Sequence, residues 1–278
     1  KEIINEAKKN QLKKVNATDP EAKFMKESQT NKKKPSYNVQ IAVDADSGVI
    51  VTCEATDSTN DNEQLEPMVD KVIKEQSIKP EKVDADSGYY SNESVGALEA
   101  QHIDTCIPDP MTANRLHRSN SNTITNNNKY TQEDFTYNTE TDTYICPQGI
   151  TLSHQKSYKA GQRTIRIFRS DNDCTKCPDR DKCITMSKKA KYKTLHIDPV
   201  SMLTKEKFKQ DTYKKRYKER SWIIERIFGH FKKNLRFTQF NLRGLRGAAI
   251  ETTLLCIGYN LFTLQHWLPI KEIGHLVK

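Results

Sequence analysis

"YNVQIAVDADSGVIVTCEATD", residues 37–57, sets two apolar, β-branched runs (37–44 and 49–57) on either side of Ala-Asp-Ser-Gly. Branched side chains suit a pleated strand, and Asp-Ser-Gly is turn chemistry, so the stretch reads as a β-hairpin. The elements after the hairpin decide the class. Residues 61–76 place Leu65, Met68, Val69, Val72 and Ile73 at helical spacing. "KVDADSGYYS" (82–91) reads as a short strand closed by a Ser-Gly turn, Ser91 as the cap of a helix through "NESVGALEAQ", and "IDTCIP" (103–108) as another strand. The order β-β-α-β-α-β predicts an α/β fold, a mixed sheet covered by helices.

Composition changes on either side. Residues 1–35 are polar and lysine-rich ("KKNQLKK", "NKKKP") and read as a helix followed by loop or disorder. Residues 36–110 carry the first part of the core. Residues 111–200 are rich in Asn, Thr, Ser and Lys and read as an inserted, cysteine-bearing segment with a poor core of its own. From 201 to 278 the pattern is helical, broken at "NLRGLRG" (241–247). The apolar stretch Ala248–Leu268 is interrupted by Glu251, Asn260, Gln265 and His266, which predicts a buried core helix rather than a membrane span.

The chain has 278 residues, of which 35% are hydrophobic and 29% charged, with a net charge of +9 and a pI near 9.0. That is enough apolar residue for one large domain or two modest ones, and the basic balance favours a polyanionic partner such as nucleic acid. Lys1–Lys14 is charged throughout, unlike a secretory signal, so the seven cysteines point to a metal site before a disulfide framework. Cys146 in "YICPQG" and Cys174, Cys177 and Cys183 in "CTKCPDRDKC" supply four thiolates, a donor set for tetrahedral structural Zn²⁺. Free thiols or an opportunistic disulfide are the alternative. Cys53, Cys106 and Cys256 fall in apolar runs and read as small buried hydrophobes.

Two acids stand out. Asp86 closes a predicted strand, where α/β sheets present catalytic groups, and Asp84 lies two residues earlier, on the same face if the strand is regular. Either could instead be a turn-forming aspartate. Glu225 lies in "SWIIERIFGHFKKNLRF" (221–237), at the margin of an apolar stripe made by Ile223, Ile224, Ile227, Phe228 and Phe231, among Arg226, Lys232, Lys233 and Arg236. Lys232 follows Glu225 by seven residues, two helical turns, on roughly the same face. Carboxylates bind Mg²⁺ (or Mn²⁺) while leaving ligand positions for water and phosphate, and a lysine above them can grip that phosphate. A solvated or salt-bridged helix glutamate is the alternative.

These pieces together resemble the DDE transposases of bacterial insertion sequences, which have a ribonuclease-H-like core. "TDPEAKFMK" (18–26), 37–51, "ADSGYYS" (85–91), the cysteine segment, "YKERSWIIERIFGHFKK" (217–233) and the closing "LRGL" helix match in type and order. The resemblance implies that Asp86 is the second acid and Glu225 the third on a Mg²⁺ site, and that Tyr217, Arg220 and Lys232 contact DNA beside it. The Glu-to-Lys gap matches the usual signature, whereas the Arg-to-Glu gap is one residue longer. The four-cysteine segment is similar to an insertion that some of these transposases carry between the second and third acids.

The family's first acid lies on its first core strand, in an Asp-(Gly/Ser)-Thr step that is expected upstream of Lys1, making this the C-terminal part of such a protein. Asp19 and Asp44 are the in-chain alternatives. Implied partners are double-stranded DNA, with the element's terminal inverted repeats and target DNA, and a second copy of the chain. The implied location is the cytoplasm, with the nucleoid. A remnant that binds DNA without cutting, and a ribonuclease-H-like nuclease unconnected with transposition, are the competing functions.

Overall fold

Two antiparallel hairpins open the chain: β1 (Lys23–Lys26) with β2 (Lys33–Ser36), and β3 (Asn38–Val43) with β4 (Ile50–Thr56). The computed structural model describes residues 15–26, 32–118, 129–161, 163–184 and 189–265, in two units. The second hairpin is the one that its branched runs predict. The first was expected as loop. Its strands are lysine-rich, β1 half-buried and β2 mostly exposed, so no apolar alternation betrays them. The helix expected at the start of 1–35 lies outside the described residues.

The first unit comprises the chain up to Tyr89, Ile103–Cys106, and everything from Lys215. After β4 come α1 (Leu65–Gln76), β5 (Lys82–Asp84), a 3-10 turn at Ser87–Tyr89, and β6 (Asp104–Cys106) parallel to β5. The α/β class and the element order agree with the sequence reading. The strands do not form one continuous mixed sheet, however: among the described residues β3 pairs only with β4, and β5 only with β6. Lys71 and Gln76 of α1 donate from their side chains to the carbonyls of Cys53 and Val51 at 2.8 Å, fastening the helix to β4.

Two long helices complete this unit, α6 (Asp211–Lys233), which enters it at Lys215, and α7 (Gly244–Leu264). Ile227 and Phe231 of α6 and Cys256 and Tyr259 of α7 bury against Ile50 of β4. The Asn260 side chain donates to the Ile50 carbonyl and accepts from the Ile50 N–H, both at 2.8 Å, so an amide completes the backbone pairing of a strand residue. Ala248 closes a second cluster with Ala22, Tyr37 and Ala55. Over its described residues, helix α7 is only half the buried core helix expected of 248–268. One face packs inward through Ala248, Thr252, Cys256 and Tyr259, and the opposite face is apolar and exposed. By length and composition alone it could cross a membrane.

The second unit holds Tyr90–His102 and Ile107–Lys214. It contains α2 (Asn92–Ala100), α3 (Pro110–Arg118), a short α4 (Arg180–Cys183) and α5 (Pro199–Lys209). Ser91 caps α2 as expected, accepting from the Ser94 N–H at 2.9 Å. Between the helices β7 (Thr136–Asn138), β8 (Thr143–Ile145), β9 (Thr151–Ala160), β10 (Arg163–Ser170) and β11 (Thr194–Ile197) form a five-stranded antiparallel sheet. The sequence suggested a poor core here. Instead Phe135, just before β7, joins Tyr144, Leu152, Phe168, Leu195 and Ile197 in a buried cluster, drawn mostly from strands whose outward residues are polar enough to hide it. Asp198 binds the unit together: it caps α5 at Val200 N–H (2.9 Å), accepts from Asn92 (3.0 Å) and pairs with Arg163.

Arg216, near the start of α6, joins the parallel strands to the helix. Its Nε donates to Asp84 at 2.6 Å, another arm pairs with Asp104, and Nη2 donates to the Asp104 carbonyl at 2.9 Å. Burial works against its charge, yet the two carboxylates hold its pKa above the ordinary value. Replacing Arg216 with Ala strands two partly buried carboxylates and is expected to cost about 2–3 kcal/mol. Urea unfolding of the two proteins measures it, and an unchanged midpoint would show that the bridge contributes nothing.

Candidate functional site

Strand β5 ends at Asp84, two residues before Asp86, so the regular alternation that would align the two acids does not reach the second. Asp84 turns to Arg216 and is spent as a structural partner. Asp86 starts the 3-10 turn, where its Oδ1 accepts from the Gly88 N–H at 2.7 Å. Gly88 is needed there for close approach. A Cβ on it would lie 2.9 Å from Asp86 Oδ1 and 3.6 Å from Asp61 Oδ2. Those two carboxylates therefore flank the same glycine.

Asp61 was not singled out by the sequence. It sits in the loop between β4 and α1, and its Oδ1 accepts from Asn38 Nδ2 at 2.6 Å and Gln40 Nε2 at 2.8 Å. Asn38 and Gln40 occupy one face of β3. The Gln40 side chain, 2% exposed, uses its oxygen to accept from the Tyr89 hydroxyl. A buried amide needs polar partners on both ends. Asn and Gln two apart in an otherwise apolar strand were the signal that a polar site lay against it.

Helix α6 brings Tyr217 and Arg220 to the same place. Arg220 stacks on the Tyr217 ring, 4.9 Å from its centroid, and its Nε is buried without a hydrogen-bond partner. The Tyr89 hydroxyl is pushed above its ordinary pKa, first by burial and then by the charges of Asp61 and Asp86, with Gln40 and Arg220 opposing. Tyr217 is likewise raised, first by burial; Arg220 opposes and Asp86 adds to the rise. Asp61, Asp86, Tyr89, Tyr217 and Arg220 thus share one electrostatic neighbourhood. Two hard carboxylates within it form no ion pair among the described contacts, a donor set suited to Mg²⁺.

Glu225 lies five residues beyond Arg220 on α6, about 7.5 Å along the axis, exposed and accepting from Ser221 Oγ at 2.7 Å. Lys232 is exposed on the same helix. No described contact brings Glu225 to Asp86. Tyr217 is buried, so it lies under Arg220 rather than at the surface. The in-chain alternatives for a further acid are engaged elsewhere. Asp19 accepts from the Tyr37 hydroxyl and the Gly244 N–H, and Asp44 accepts from Ser47 in the β3–β4 turn.

In the second unit Cys146, Cys174, Cys177 and Cys183 line one cavity together with Arg180 and Lys193. The Ile150 N–H donates to Cys146 Sγ at 3.2 Å, the kind of bond that stabilises a thiolate. Burial pushes the Cys183 thiol up, Lys193 pulls it down, and the other three cysteines push it up again. None of the four is in a disulfide. Among the described residues no three His, Cys, Asp or Glu side chains are drawn together as a ready metal-binding group, in this cavity or beside Asp86. Of the apolar-run cysteines, Cys106 and Cys256 are buried as expected, while Cys53 is half-buried.

A family model described as "Transposase DDE domain" matches residues 8–261. No curated protein and no solved structure matches the chain.

If Asp61 and Asp86 share a cation, Asp61→Asn and Asp86→Asn should each weaken Mn²⁺ binding at least tenfold, read by calorimetry on the folded protein. Gly88→Ala should do the same by driving a methyl group into the Asp86 carboxylate. Unaltered Mn²⁺ binding in all three would remove the cation from this place.

Proposed function

Because the chain belongs to the transposase DDE-domain family, we propose that Asp86 and Glu225 are acids of a metal-dependent site that cuts and rejoins DNA at the ends of an insertion sequence. The observation that carries this reading is the pair of carboxylates, Asp86 and Asp61, without an ion-pair partner among the described contacts and both against Gly88, with Arg220 close enough to oppose their effect on Tyr89. Transposases of this family act on DNA with divalent metal ions.

Asp86 and Asp61 would hold Mg²⁺ or Mn²⁺, and Glu225 would join them from α6. When bound, that ion supplies charge stabilisation to the attacking and leaving oxygens of an in-line displacement. The residues themselves do the rest. Asn38 and Gln40 fix the Asp61 carboxylate, and the Gly88 N–H fixes Asp86. Tyr217 stacks against Arg220, whose guanidinium would face phosphate with its outer nitrogens. Lys215, Lys218, Arg226, Lys232 and Lys233 line the outer face of α6 around an exposed Trp222, a basic surface that DNA phosphates would follow.

Terminal repeats come in pairs, so two copies would act together, in the cytoplasm where the element's DNA is reached.

The four cysteines would hold a structural Zn²⁺. Their shared cavity and the N–H···S bond to Cys146 fit that donor chemistry, and four thiolates leave no open position for catalysis.

The test is cleavage of DNA carrying the element's ends, with Mg²⁺ or Mn²⁺. Glu225→Gln and Asp86→Asn should each lower the rate about 1,000-fold, as expected for losing several kcal/mol of charge stabilisation. Gel-shift affinity for the same DNA should stay within about twofold. Full cleavage by either variant would sink the assignment. Equal cutting of repeat and random DNA would favour a general nuclease, and binding without cutting by every form would favour a remnant. For the cysteines, about one zinc per chain is expected by atomic absorption, with loss in Cys177→Ser and a lower Tm after chelation. Metal-free protein of unchanged Tm would return the four to free thiols.

A further inference from the structure

Helix α7 carries a second apolar face that the fold does not use. Ile250, Leu254, Ile257, Leu261 and Leu264 are between 45% and 64% exposed, on the side opposite the buried Ala248, Thr252, Cys256 and Tyr259. Their spacing is four, three, four, three, the alternation with which one helix meets another along a shared seam. A helix that only covers a sheet needs one such stripe.

We propose that this stripe is where a second copy of the chain docks, helix against helix across a two-fold axis. Three observations favour a copy of the chain over another occupant. The first is area: the five side chains leave on the order of 500 Å² exposed per copy, so pairing removes about 1,000 Å², the lower bound of a specific interface. The second is charge. Between Ile250 and Leu264 the positions flanking the seam are Glu251, Thr253, Gly258 and Gln265, and the one acid among them is already bound to the Asn241 and Leu242 N–H groups. The exposed Arg246 continues the stripe at its N-terminal end, and in an antiparallel pair centred on Ile257 the two copies of it fall at opposite ends, about 33 Å apart, so they do not repel. The third is Gly258. It is helical, and a Cβ there would meet no atom within 4 Å, so neither backbone conformation nor internal packing requires glycine. Glycine in mid-helix costs about 1 kcal/mol relative to alanine, and close approach of a second helix would account for keeping it.

The inference deepens the two-copy part of the proposed function and rests on it, but not on the chemistry of the acids. The experiment is sedimentation equilibrium of the full chain, 32.0 kDa as a monomer, beside the double variant Leu254→Glu/Leu261→Glu and the milder Leu254→Asn. Far-UV circular dichroism checks that each is folded. The expected result is a dimer for the parent, monomer for the double variant, and a dimer dissociation constant at least about tenfold tighter for the parent than for Leu254→Asn. A parent that stays monomeric, or a double variant that stays dimeric, overturns the proposal. Sedimentation of the monomer with anionic phospholipid vesicles, lost in the double variant, would overturn it in favour of a membrane surface. Asp86-dependent cleavage by a monomeric parent would show the docking surface wrong and the acids right. A dimer that never cleaves would show the reverse.

Discussion

Arg216 is the constraint on which the Asp86 end of the first unit depends. Strands β5 and β6 are three residues each, too short to fix their own orientation against a helix. One planar guanidinium reaches Asp84, Asp104 and the Asp104 carbonyl at once, and its fork geometry sets strand and helix in a single register. The bridge also decides which acid is left over. Asp84 and Asp104 are neutralised, and Asp86, two residues past the end of β5, is not.

Negative charge that a fold leaves uncompensated is costly unless something else will offset it. Here Asp61 and Asp86 both lie against Gly88 with amides and N–H groups as their only described partners. Hydrogen bonds to Asn38 and Gln40 hold Asp61 in place without cancelling its charge. Arg220 is near enough to oppose the acids' effect on Tyr89, yet it pairs with neither in the described contacts. The arrangement keeps two carboxylates beside an arginine that neutralises neither, a donor set suited to a divalent cation.

The sequence showed the class through its periodicities. The hairpin at 37–57, the helix after it and the Ser91 cap could be read because each carries a local signature that tertiary contacts reinforce. The β1–β2 hairpin could not, since lysines on both strands and a Pro35 mask the alternation. The antiparallel sheet of the second unit was obscured in the same way. Strands β9 and β10 are long, but most of β9 faces solvent with Ser, Gln and Lys, and across both strands the buried apolar residues are Leu152, Ile165 and Phe168. At the site, Asp86 and Glu225 stood out from pattern and resemblance. Asp61 did not, because its meaning lies in contacts across the chain to Asn38, Gln40 and Gly88. A turn-rich "STNDNEQ" gives no reason to prefer one acid over another.

Helix α6 shows how one element can serve several demands. Arg216 points to the parallel strands, Ile227 and Phe231 to the core beneath β4, Tyr217 and Arg220 to the acids, and the basic residues around Trp222 to solvent. At 3.6 residues per turn a helix of 23 residues presents each of these directions several times, so the four roles do not compete for positions. Glu225 falls on the border between the site-facing and solvent-facing directions. That placement explains both its exposure in the free chain and its absence from the Asp61–Asp86 contacts. At that edge Ser221 steadies the carboxylate, its hydroxyl donating to Glu225 Oε1 at 2.7 Å.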